Sequence, residues 1–497
     1  MKRYALPLLA LLSLAACSKT PDDNTTPPDK PTPDPAPVVE ETTVCTDAPI
    51  LIETASRPVL GTSGTITVTK VSDGSQVDCI DLADIATVDI REDGQMIPKE
   101  KITGETLLNT FHDVLVSGGR YRVVHYTPLR VRNNGLEIRL HTGVLAFDTE
   151  YKVSLDAGVI EGGKATELTF KTGKKPASTS EITVSPDGKG DFCTVSGALQ
   201  YVSTLSKSTA VTVSIAPGTY ADMLYLRDKD NVTLKGTGKR TQSVIAYANC
   251  EHYEYGSGAG LSTKPVIGKA IDAKNTGGRV VFLAENCNNL TLENLTIRNT
   301  FGNPKGQAET LYFNSGNNTH KLTIENCELW SFQDTFLTKG VVWVHNSLIA
   351  GHCDYIWGYP KACLFEDCEI RSLDAGYIVQ ARINAASDKG FVFLNCSLTA
   401  AEGVANGKMY LARSEGDATK YDNVTFVGCK MAPVIAPAGW FSNPLPNPST
   451  PTASSGWKEY GSTDLTGNPV SHTSTYFKAL TALEAQAFSS REAVLGY

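Results

Sequence analysis

The sequence lacks a basic run, and its 45 Lys and Arg residues are outnumbered by 53 Asp and Glu residues, which gives a formal net charge of −8. Proteins that bind nucleic acid usually cluster cations against the phosphates, so this balance argues against a nucleic-acid partner. It says little about sugar acids, because one local cation can bind one carboxylate. With 497 residues, 41% of them hydrophobic, the chain is globular and long enough for two or more domains.

The sequence also lacks a CxxC pair accompanied by a second Cys or His pair, which argues against a structural zinc site. Twelve cysteines in an exported chain would suggest disulfides. Four of them, however, occupy one slot of a strand repeat, and we interpret them as small apolar residues stacked inside the fold: Cys327, Cys368, Cys396 and Cys429. Cys45 and Cys79 could pair within the second segment of the chain.

Long hydrophobic runs are absent except at the N-terminus, where the run from Ala5 to Ala16 is too short to span a bilayer. This run ends Leu14-Ala-Ala-Cys17, which resembles the lipobox of bacterial lipoproteins. The resemblance implies a signal peptide over residues 1–16 and lipidation of Cys17. The mature protein would be anchored in the cell envelope, at the outer membrane, by this lipid alone. An ordinary secretory signal is the alternative interpretation.

The next two segments differ in composition. Residues 17–40 are rich in proline, Asp and Thr, and we interpret them as an extended linker. Residues 41–176 contain short alternating runs separated by turns rich in Gly, Asn and Asp, a pattern that predicts a small β-sandwich. This segment resembles bacterial immunoglobulin-like spacer modules, which implies a spacer; a carbohydrate-binding role is the alternative.

From residue 181 to residue 497 the pattern is that of a solenoid. A slot of Asn, Asp or Gly followed by a small or apolar residue recurs at intervals of about 20 to 33 residues: Asn294, Asn326, Asn346, Asp367, Asn395 and Gly428. A base coil of about 20 residues with insertions on one side is typical of a right-handed parallel β-helix. The sequence therefore predicts an all-β protein, in which a small sandwich precedes a β-helix.

Two aspartates lie at matching positions of this repeat. Asp334 follows Asn326 by eight residues, and Asp354 follows Asn346 by eight residues. If each repeat forms one coil, the two carboxylates lie on adjacent parallel strands about 4.8 Å apart. Two carboxylates so close do not both ionise easily, so we expect one acid and one ionised base or nucleophile.

Eight short motifs over residues 181–490 resemble, in order, those of the pectin methylesterases (pectinesterases): Asp187-Gly-Lys-Gly-Asp-Phe192, Pro217-Gly-Thr-Tyr220, Gln307-Ala-Glu-Thr-Leu311, Gln333-Asp-Thr335, Asp354-Tyr-Ile-Trp-Gly358, Leu411-Ala-Arg413, Ala438-Gly-Trp440 and Glu459-Tyr460. Members of that family are β-helix carboxylic ester hydrolases that remove methyl esters from polygalacturonate without a metal or cofactor. The resemblance implies the same reaction here, on a pectic polysaccharide or oligosaccharide. We expect a monomer, since a capped β-helix needs no partner.

The resemblance also implies a role for each polar residue of the motifs. Asp354 is similar to the family nucleophile, which forms an acyl-enzyme anhydride. Asp334 resembles the general acid, which protonates departing methanol and then acts as a base on water. Gln307 and Gln333 resemble the donors to the oxyanion. Arg413 resembles the arginine that keeps the nucleophile ionised and oriented.

The residues expected to contact the sugar depart from the family pattern. Tyr355 and Trp357 flank Asp354 and, with Trp440, are implied to bind substrate. The family usually has Pro-Trp after its Leu-Gly-Arg motif, and that Trp lines the sugar site, whereas this chain has Glu415 near its place. We expect an acid there to repel de-esterified galacturonate.

Other functions fit parts of the pattern. Carboxylates about 5 Å apart also suit retaining glycosidases, and β-helices host polygalacturonases, but the Asp-Asp and Gly-His-Gly motifs of those enzymes have only poor counterparts here. A non-catalytic glycan-binding lipoprotein on the same scaffold is a second alternative. A hydrolase of another ester, including a thioester, is a third.

Overall fold

The structure is a computed structural model, and it describes residues 43–82, 112–267, 271–302 and 306–497. The predicted signal peptide at 1–16, the predicted lipidation site Cys17, the whole linker at 17–40 and the first two residues of the next segment lie outside these residues. Val44–Tyr497 form one compact unit, so the boundary expected between 176 and 181 stays a prediction. In the described part of the chain, no helix is sufficiently long and apolar to cross a membrane.

The N-terminal part of this unit is built from antiparallel strands: β1 (Ile50–Glu53), β2 (Thr65–Lys70), β3 (Gln76–Asp81), β4 (His112–Ser117), β5 (Arg120–His125), β6 (Leu129–Arg132), β7 (Gly135–Ile138), β8 (Glu150–Leu155) and β9 (Thr166–Lys171). Strands β3-β2-β8-β9 form one sheet and β1-β7-β6 form another. Alternate residues such as Ile66, Val68 and Val153 are fully buried in a core that both sheets share. This arrangement fits the predicted β-sandwich.

The hairpin of β4 and β5 belongs to neither sheet and packs against the C-terminal part of the chain. Arg122 of this hairpin is fully buried, and its guanidinium donates hydrogen bonds to the carbonyls of Leu224 (2.7 Å) and Gly278 (3.1 Å). Leu115 and Val124 share an apolar cluster with residues of the C-terminal part. A simple spacer would not bury an arginine in its neighbour, so the N-terminal part also covers a face of the domain that follows.

The C-terminal part begins with a short helix, α1 (Val195–Val202), which lies beside the first strands, and ends with α2 (Ala482–Ala485) and α3 (Arg491–Leu495). Its strands are β10 (Glu181–Val184), β11 (Val211–Ile215), β12 (Gly218–Tyr220), β13 (Leu224–Arg227), β14 (Val232–Gly236), β15 (Ser243–Tyr247), β16 (Phe282–Glu285), β17 (Leu290–Glu293), β18 (Thr296–Asn299), β19 (Leu311–Asn314), β20 (Lys321–Glu325), β21 (Glu328–Trp330), β22 (Phe336–Thr338), β23 (Val341–His345), β24 (Leu348–Gly358), β25 (Ala362–Glu366), β26 (Glu369–Ala381), β27 (Gly390–Leu394), β28 (Ser397–Ala400), β29 (Met409–Ala412), β30 (Val424–Val427), β31 (Lys430–Met431), β32 (Trp457–Tyr460), β33 (Thr463–Asp464) and β34 (Phe477–Ala479).

These strands stack in three parallel ladders. The first runs β10-β11-β14-β17-β20-β23-β25-β27-β30-β32-β34. The second contains β12, β15, β18 and β21, and the third contains β13, β16, β19 and β22; the long strands β24 and β26 run through both. Each coil thus adds one strand to each ladder, and the apolar side chains that point inward form one continuous core. This is the predicted parallel β-helix.

The repeated Asn, Asp or Gly slot marks the turn between the first and second ladders. Its members have positive φ angles between 47° and 62°: Asn294, Asn326, Asn346, Asp367, Asn395 and Gly428. Asn, Asp and Gly tolerate this left-handed conformation better than other residues, which explains the composition of the slot. The amide of Asn326 also donates to Oδ1 of Asn294 at 2.8 Å, so the turns of adjacent coils are joined.

The four cysteines that follow these turns are buried in the core and free, as predicted: Cys327, Cys368, Cys396 and Cys429. The suggested pairing of Cys45 with Cys79 is wrong, because both thiols are free. Cys45 instead lies within 4.8 Å of Cys193 at the start of the β-helix, whereas Cys79 is exposed.

Candidate active site

Asp354 lies in the middle of β24, where its φ of 47° interrupts the extended strand. Its carboxylate is almost buried and accepts hydrogen bonds from Nε of Arg413 at 2.7 Å and from a second Arg413 nitrogen. The amide of Gln380 donates to Asp354 Oδ2 at 3.1 Å. Two donors of a planar guanidinium on one carboxylate form a bidentate pair, which fixes the orientation of the carboxylate.

Asp334 occupies the matching place one coil earlier, between β21 and β22, also with a positive φ of 65°. Its N–H donates to the carbonyl of Cys353 at 3.1 Å, which ties it to the coil that carries Asp354. Arg279 donates to Asp334 Oδ2 at 3.1 Å. The two aspartates therefore lie in neighbouring coils, as the repeat predicts.

The pKa of Asp334 is raised well above its usual range, chiefly by burial and then by the charge of Glu309. Arg279 opposes this shift, and Asp354 adds a smaller contribution in the same direction as Glu309. The sequence-based expectation that one aspartate would hold a proton is therefore supported for Asp334. The expected cause was incomplete, because burial and Glu309 outweigh the aspartate partner.

Arg279 was not identified from the sequence. It lies just before β16, far from both aspartates along the chain, and its guanidinium also contacts Glu251 and, at 2.7 Å, the fully buried Glu309. Glu309 lies in the Gln307-Ala-Glu-Thr-Leu311 motif, but the family resemblance implies no role for it. Because no motif joins Arg279 to Glu309, only the packing of the coils reveals this charged cluster.

Gln307 and Gln333 lie in consecutive coils and face each other across a parallel bridge, and Gln333 in turn faces Cys353 beside Asp354. Both side chains are half-buried. Within the described residues neither side-chain amide forms a hydrogen bond. Two amide N–H groups without partners, next to two carboxylates, are suited to bind a developing oxyanion.

The residues predicted to bind the sugar behave differently from one another. Tyr355 and Trp440 point into the core and are 0% and 1% exposed, so their predicted contact with substrate is wrong. Regular alternation along β24 itself places Tyr355 on the face opposite to Asp354, because successive side chains of a strand point to opposite faces. The register of β24 with β26 is irregular between Cys353 and Ile356. Trp357, three residues after Asp354, lies instead on the outer face of the third ladder.

Glu415 is exposed near the site, but it does not present a free negative charge. Its carboxylate forms an ion pair with Nε of Arg382 at 2.7 Å. The same Nε donates to Gln380 at 3.0 Å, and Gln380 donates to Asp354. This ion pair argues against the expected repulsion of de-esterified galacturonate by Glu415, because Arg382 offsets the charge of the carboxylate.

Together these residues can perform acyl transfer. A carboxylate held by a bidentate guanidinium lies next to a buried carboxyl group with a raised pKa, and two side-chain amides without partners among the described residues lie beside them. Such a site can attack an ester carbonyl, stabilise the oxyanion and protonate the departing alcohol.

Comparison with known proteins places this geometry in a family. The pectinesterase family model matches residues 255–496. The chain is 27% identical over 271 residues to pectinesterase 31 of Arabidopsis thaliana, covering 53% of this chain and 77% of that protein. It is 29% identical over 256 residues to probable pectinesterase A of Aspergillus oryzae, covering 51% of this chain and 71% of that protein.

The fold is also similar to that of a solved pectin methylesterase in complex with a hexasaccharide. That likeness has a TM-score of 0.50 at 24% identity, and it covers 64% of this chain and 98% of the other. The matched region, residues 255–496, contains Asp334, Asp354 and Arg413 together with both glutamines. Residues 255–496, just under half of the chain, therefore form a pectinesterase-family domain.

Proposed function

We propose that this chain is a carboxylic ester hydrolase that removes methyl esters from polygalacturonate, leaving free carboxylates and methanol. The observation that carries the proposal is the bidentate pairing of Asp354 with Arg413 beside the buried Asp334. In the first step an oxygen of Asp354 attacks the ester carbonyl, and Gln307 and Gln333 donate to the oxyanion. Asp334 then gives its proton to the departing methanol, which leaves an anhydride on Asp354.

The second half of the reaction reverses the role of Asp334. Having lost its proton, it takes one from a water molecule, and that water attacks the anhydride carbonyl. The hydrolysis returns one proton of the water to Asp334 and frees the carboxylate of Asp354. The other proton stays on the new galacturonic acid, which releases it to solvent and becomes a carboxylate. Burial of Asp334 makes this cycle efficient, because a raised pKa holds the proton until the methoxide leaves.

The deciding experiment measures methanol and new reducing ends together, with methylated homogalacturonan and branched pectic fragments as substrates. Methanol release without new reducing ends is expected. New reducing ends would instead indicate a glycosidase, and binding without either product would indicate a glycan-binding protein. Methyl or thioesters of unrelated acids, assayed in parallel, test whether the substrate is a pectic sugar.

Replacing Arg413 with lysine should lower kcat/KM for methanol release by roughly 10- to 100-fold, although the charge is kept. A lysine cannot make the two parallel hydrogen bonds that hold Asp354. Arg371→Lys is the matched control, because Arg371 pairs with Glu369 on the same strand as Gln380 but away from the aspartates. Equal activity of the two variants would contradict the role of Arg413.

We also propose that Cys17 is lipidated and anchors the protein in the cell envelope, on the basis of the lipobox-like sequence. Cys17→Ser should move the protein from the membrane fraction to the soluble fraction of the envelope, with kcat/KM on soluble pectin within about twofold. Cys79→Ser is the control, because this exposed thiol lies far along the chain from the signal. A Cys17→Ser protein that still fractionates with membranes would argue for a different anchor.

A further inference from the structure

Two cysteine thiols lie side by side near the start of the compact unit. Cys45 is half-buried and Cys193 is 6% exposed, and their sulfur atoms lie within 4.8 Å of each other. Both are free thiols in this structure. The Cys45 thiol donates to the carbonyl of Gly190 at 3.4 Å, so it points toward the segment that carries Cys193.

Hydrogen bonds hold the backbone around both cysteines in place. The N–H of Val44 donates to the carbonyl of the last residue of β9 at 2.9 Å. Asp47 lies two residues after Cys45, and its carboxylate accepts from the N–H of Cys193 at 2.9 Å. The same carboxylate accepts from the N–H of Thr194 at 2.7 Å. The segment that contains Cys45 is therefore bound to the N-terminal sheets and to the start of the β-helix.

A side-chain rotation is sufficient to change the distance between the two sulfurs by the amount that a bond requires. A disulfide has about 2.0 Å between its sulfur atoms. Rotation of a cysteine by one staggered well about its Cα–Cβ bond moves the sulfur by roughly 3 Å. This movement is comparable with the remaining gap between Cys45 and Cys193. Because the backbone segments are already held together, the side chains are the parts that need to move.

The same place is poorly suited to a metal ion. The carboxylate of Asp47 also lies within 4.8 Å of both sulfurs. Its oxygens, however, already accept hydrogen bonds from the N–H of Cys193 and from the N–H and hydroxyl of Thr194, at 2.6 to 3.1 Å. The hydrogen bond with Cys45 and burial raise the pKa of Cys193, whereas a metal binds thiolates. Two neighbouring thiols next to an occupied carboxylate fit a disulfide better.

Partial exposure distinguishes this pair from the cysteines inside the coils. Cys396 also contacts Cys368 and Cys429. These three side chains are at most 2% exposed, so an oxidant in solution does not reach their sulfurs while the protein is folded. Cys45 combines a partly exposed thiol with a neighbouring thiol, and thiol–disulfide exchange requires both.

We propose that Cys45 and Cys193 form a disulfide when the protein meets a small-molecule or protein disulfide in an oxidising compartment, which the predicted export supplies. The Cys45 thiolate attacks one sulfur of that disulfide and displaces the other as a thiol. Cys193 then attacks the Cys45 sulfur and displaces the second thiol. The two cysteines are oxidised, the incoming disulfide is reduced to two thiols, and those thiols carry the two protons. The link fastens the residues next to the linker at 17–40 to the β-helix.

The first test maps the cysteines of the protein after equilibration with oxidised glutathione in metal-free buffer. Remaining thiols are blocked in denaturant at acidic pH, and the peptides are analysed by mass spectrometry without reduction. A peptide pair joined through Cys45 and Cys193 is expected. Separate blocked peptides, or glutathione retained on Cys45, would overturn the proposal. Zinc alone is added in a parallel sample, and protection of both thiols by zinc without a linked peptide under glutathione would indicate a metal site instead.

A thermal measurement separates the link from the effect of a substitution on folding. Because a cross-link between residues about 150 positions apart restricts the unfolded chain, oxidised wild type should have a Tm roughly 3 to 10 °C above that of reduced wild type. Cys45→Ser should have the same Tm in both conditions, whatever its stability. Cys79→Ser, which removes an exposed thiol, is the control and should keep the wild-type difference.

Neither measurement uses methanol release, so the result is independent of the proposed esterase function. Equal Tm values for oxidised and reduced wild type would contradict the proposal. A difference that persists in Cys45→Ser would assign the redox-sensitive stability to other cysteines and would also overturn it.

Discussion

Asp354→Asn should reduce methanol release from methylated homogalacturonan by about 10³-fold or more, because an amide cannot attack the ester and form the anhydride. The substitution keeps the size of the side chain and its hydrogen-bonding geometry toward Gln380, so the fold should persist. It also leaves the Arg413 guanidinium without its anionic partner, which costs stability but does not remove the site.

Asp367→Asn provides a matched control for this substitution. Asp367 also has a positive φ, of 53°, and lies on a turn of the same β-helix, but its side chain is 56% exposed and far from the glutamines in sequence. This variant should keep full activity and a circular dichroism spectrum equal to that of Asp354→Asn. Substantial methanol release by a folded Asp354→Asn protein would show that Asp354 is not the nucleophile.

Asp334→Asn should lower kcat by roughly 10²- to 10⁴-fold, since methanol leaves poorly unless a proton is transferred to it. The raised pKa of Asp334 means that the acid stays protonated to higher pH than an ordinary aspartate. In the wild type, kcat/KM should therefore decline on the alkaline side as this proton is lost. The Asp334→Asn variant should show no such decline over the same pH range, because the titrating group is gone.

Glu309→Gln tests the origin of that pKa. The charge of Glu309 raises the pKa of Asp334, so its removal should lower that pKa and move the alkaline limb of kcat/KM to lower pH. Arg279 would then be freed from Glu309 and would pair more strongly with Asp334, which shifts the pKa in the same direction. The exposed Glu402→Gln is the control and should leave the limb in place. If the alkaline limb of kcat/KM does not move in Glu309→Gln, that limb reports the titration of a group other than Asp334.

The N-terminal hairpin shields part of the β-helix. Leu115 and Val124 pack near Tyr225 and Leu283, in the same apolar cluster that contains Tyr312 and Trp357. In the described part of the chain, this hairpin therefore covers part of the outer face of the third ladder.

Local patterns in the sequence were sufficient to predict the architecture. The spacing of the Asn and Asp turns predicted the coils because each coil contains the same left-handed turn, a conformation that few residue types adopt easily. The same register placed Asp334 and Asp354 in neighbouring coils, and it placed the four buried cysteines in the core. The order of the motifs indicated the family before any fold was known.

Two side chains near the aspartates differ from the expectation. Tyr355 was predicted beside Asp354, but it lies in the core, because successive side chains of a strand point to opposite faces. Glu415 was predicted to repel uronates, but it forms an ion pair with Arg382, a residue 33 positions earlier. A charge partner so distant along the chain is not apparent from the neighbouring sequence.

The sequence by itself determined the β-helix, the pair of aspartates and the kind of chemistry, because these follow from short-range periodicity and from motifs. Only the tertiary structure decided which residues surround that pair: Arg279 and Glu309 at Asp334, and Gln380 at Asp354. These residues come from different coils and from insertions of different length, so no spacing along the chain relates them. Stacking of the coils brings them together, and burial and the nearby charges then set the pKa of Asp334.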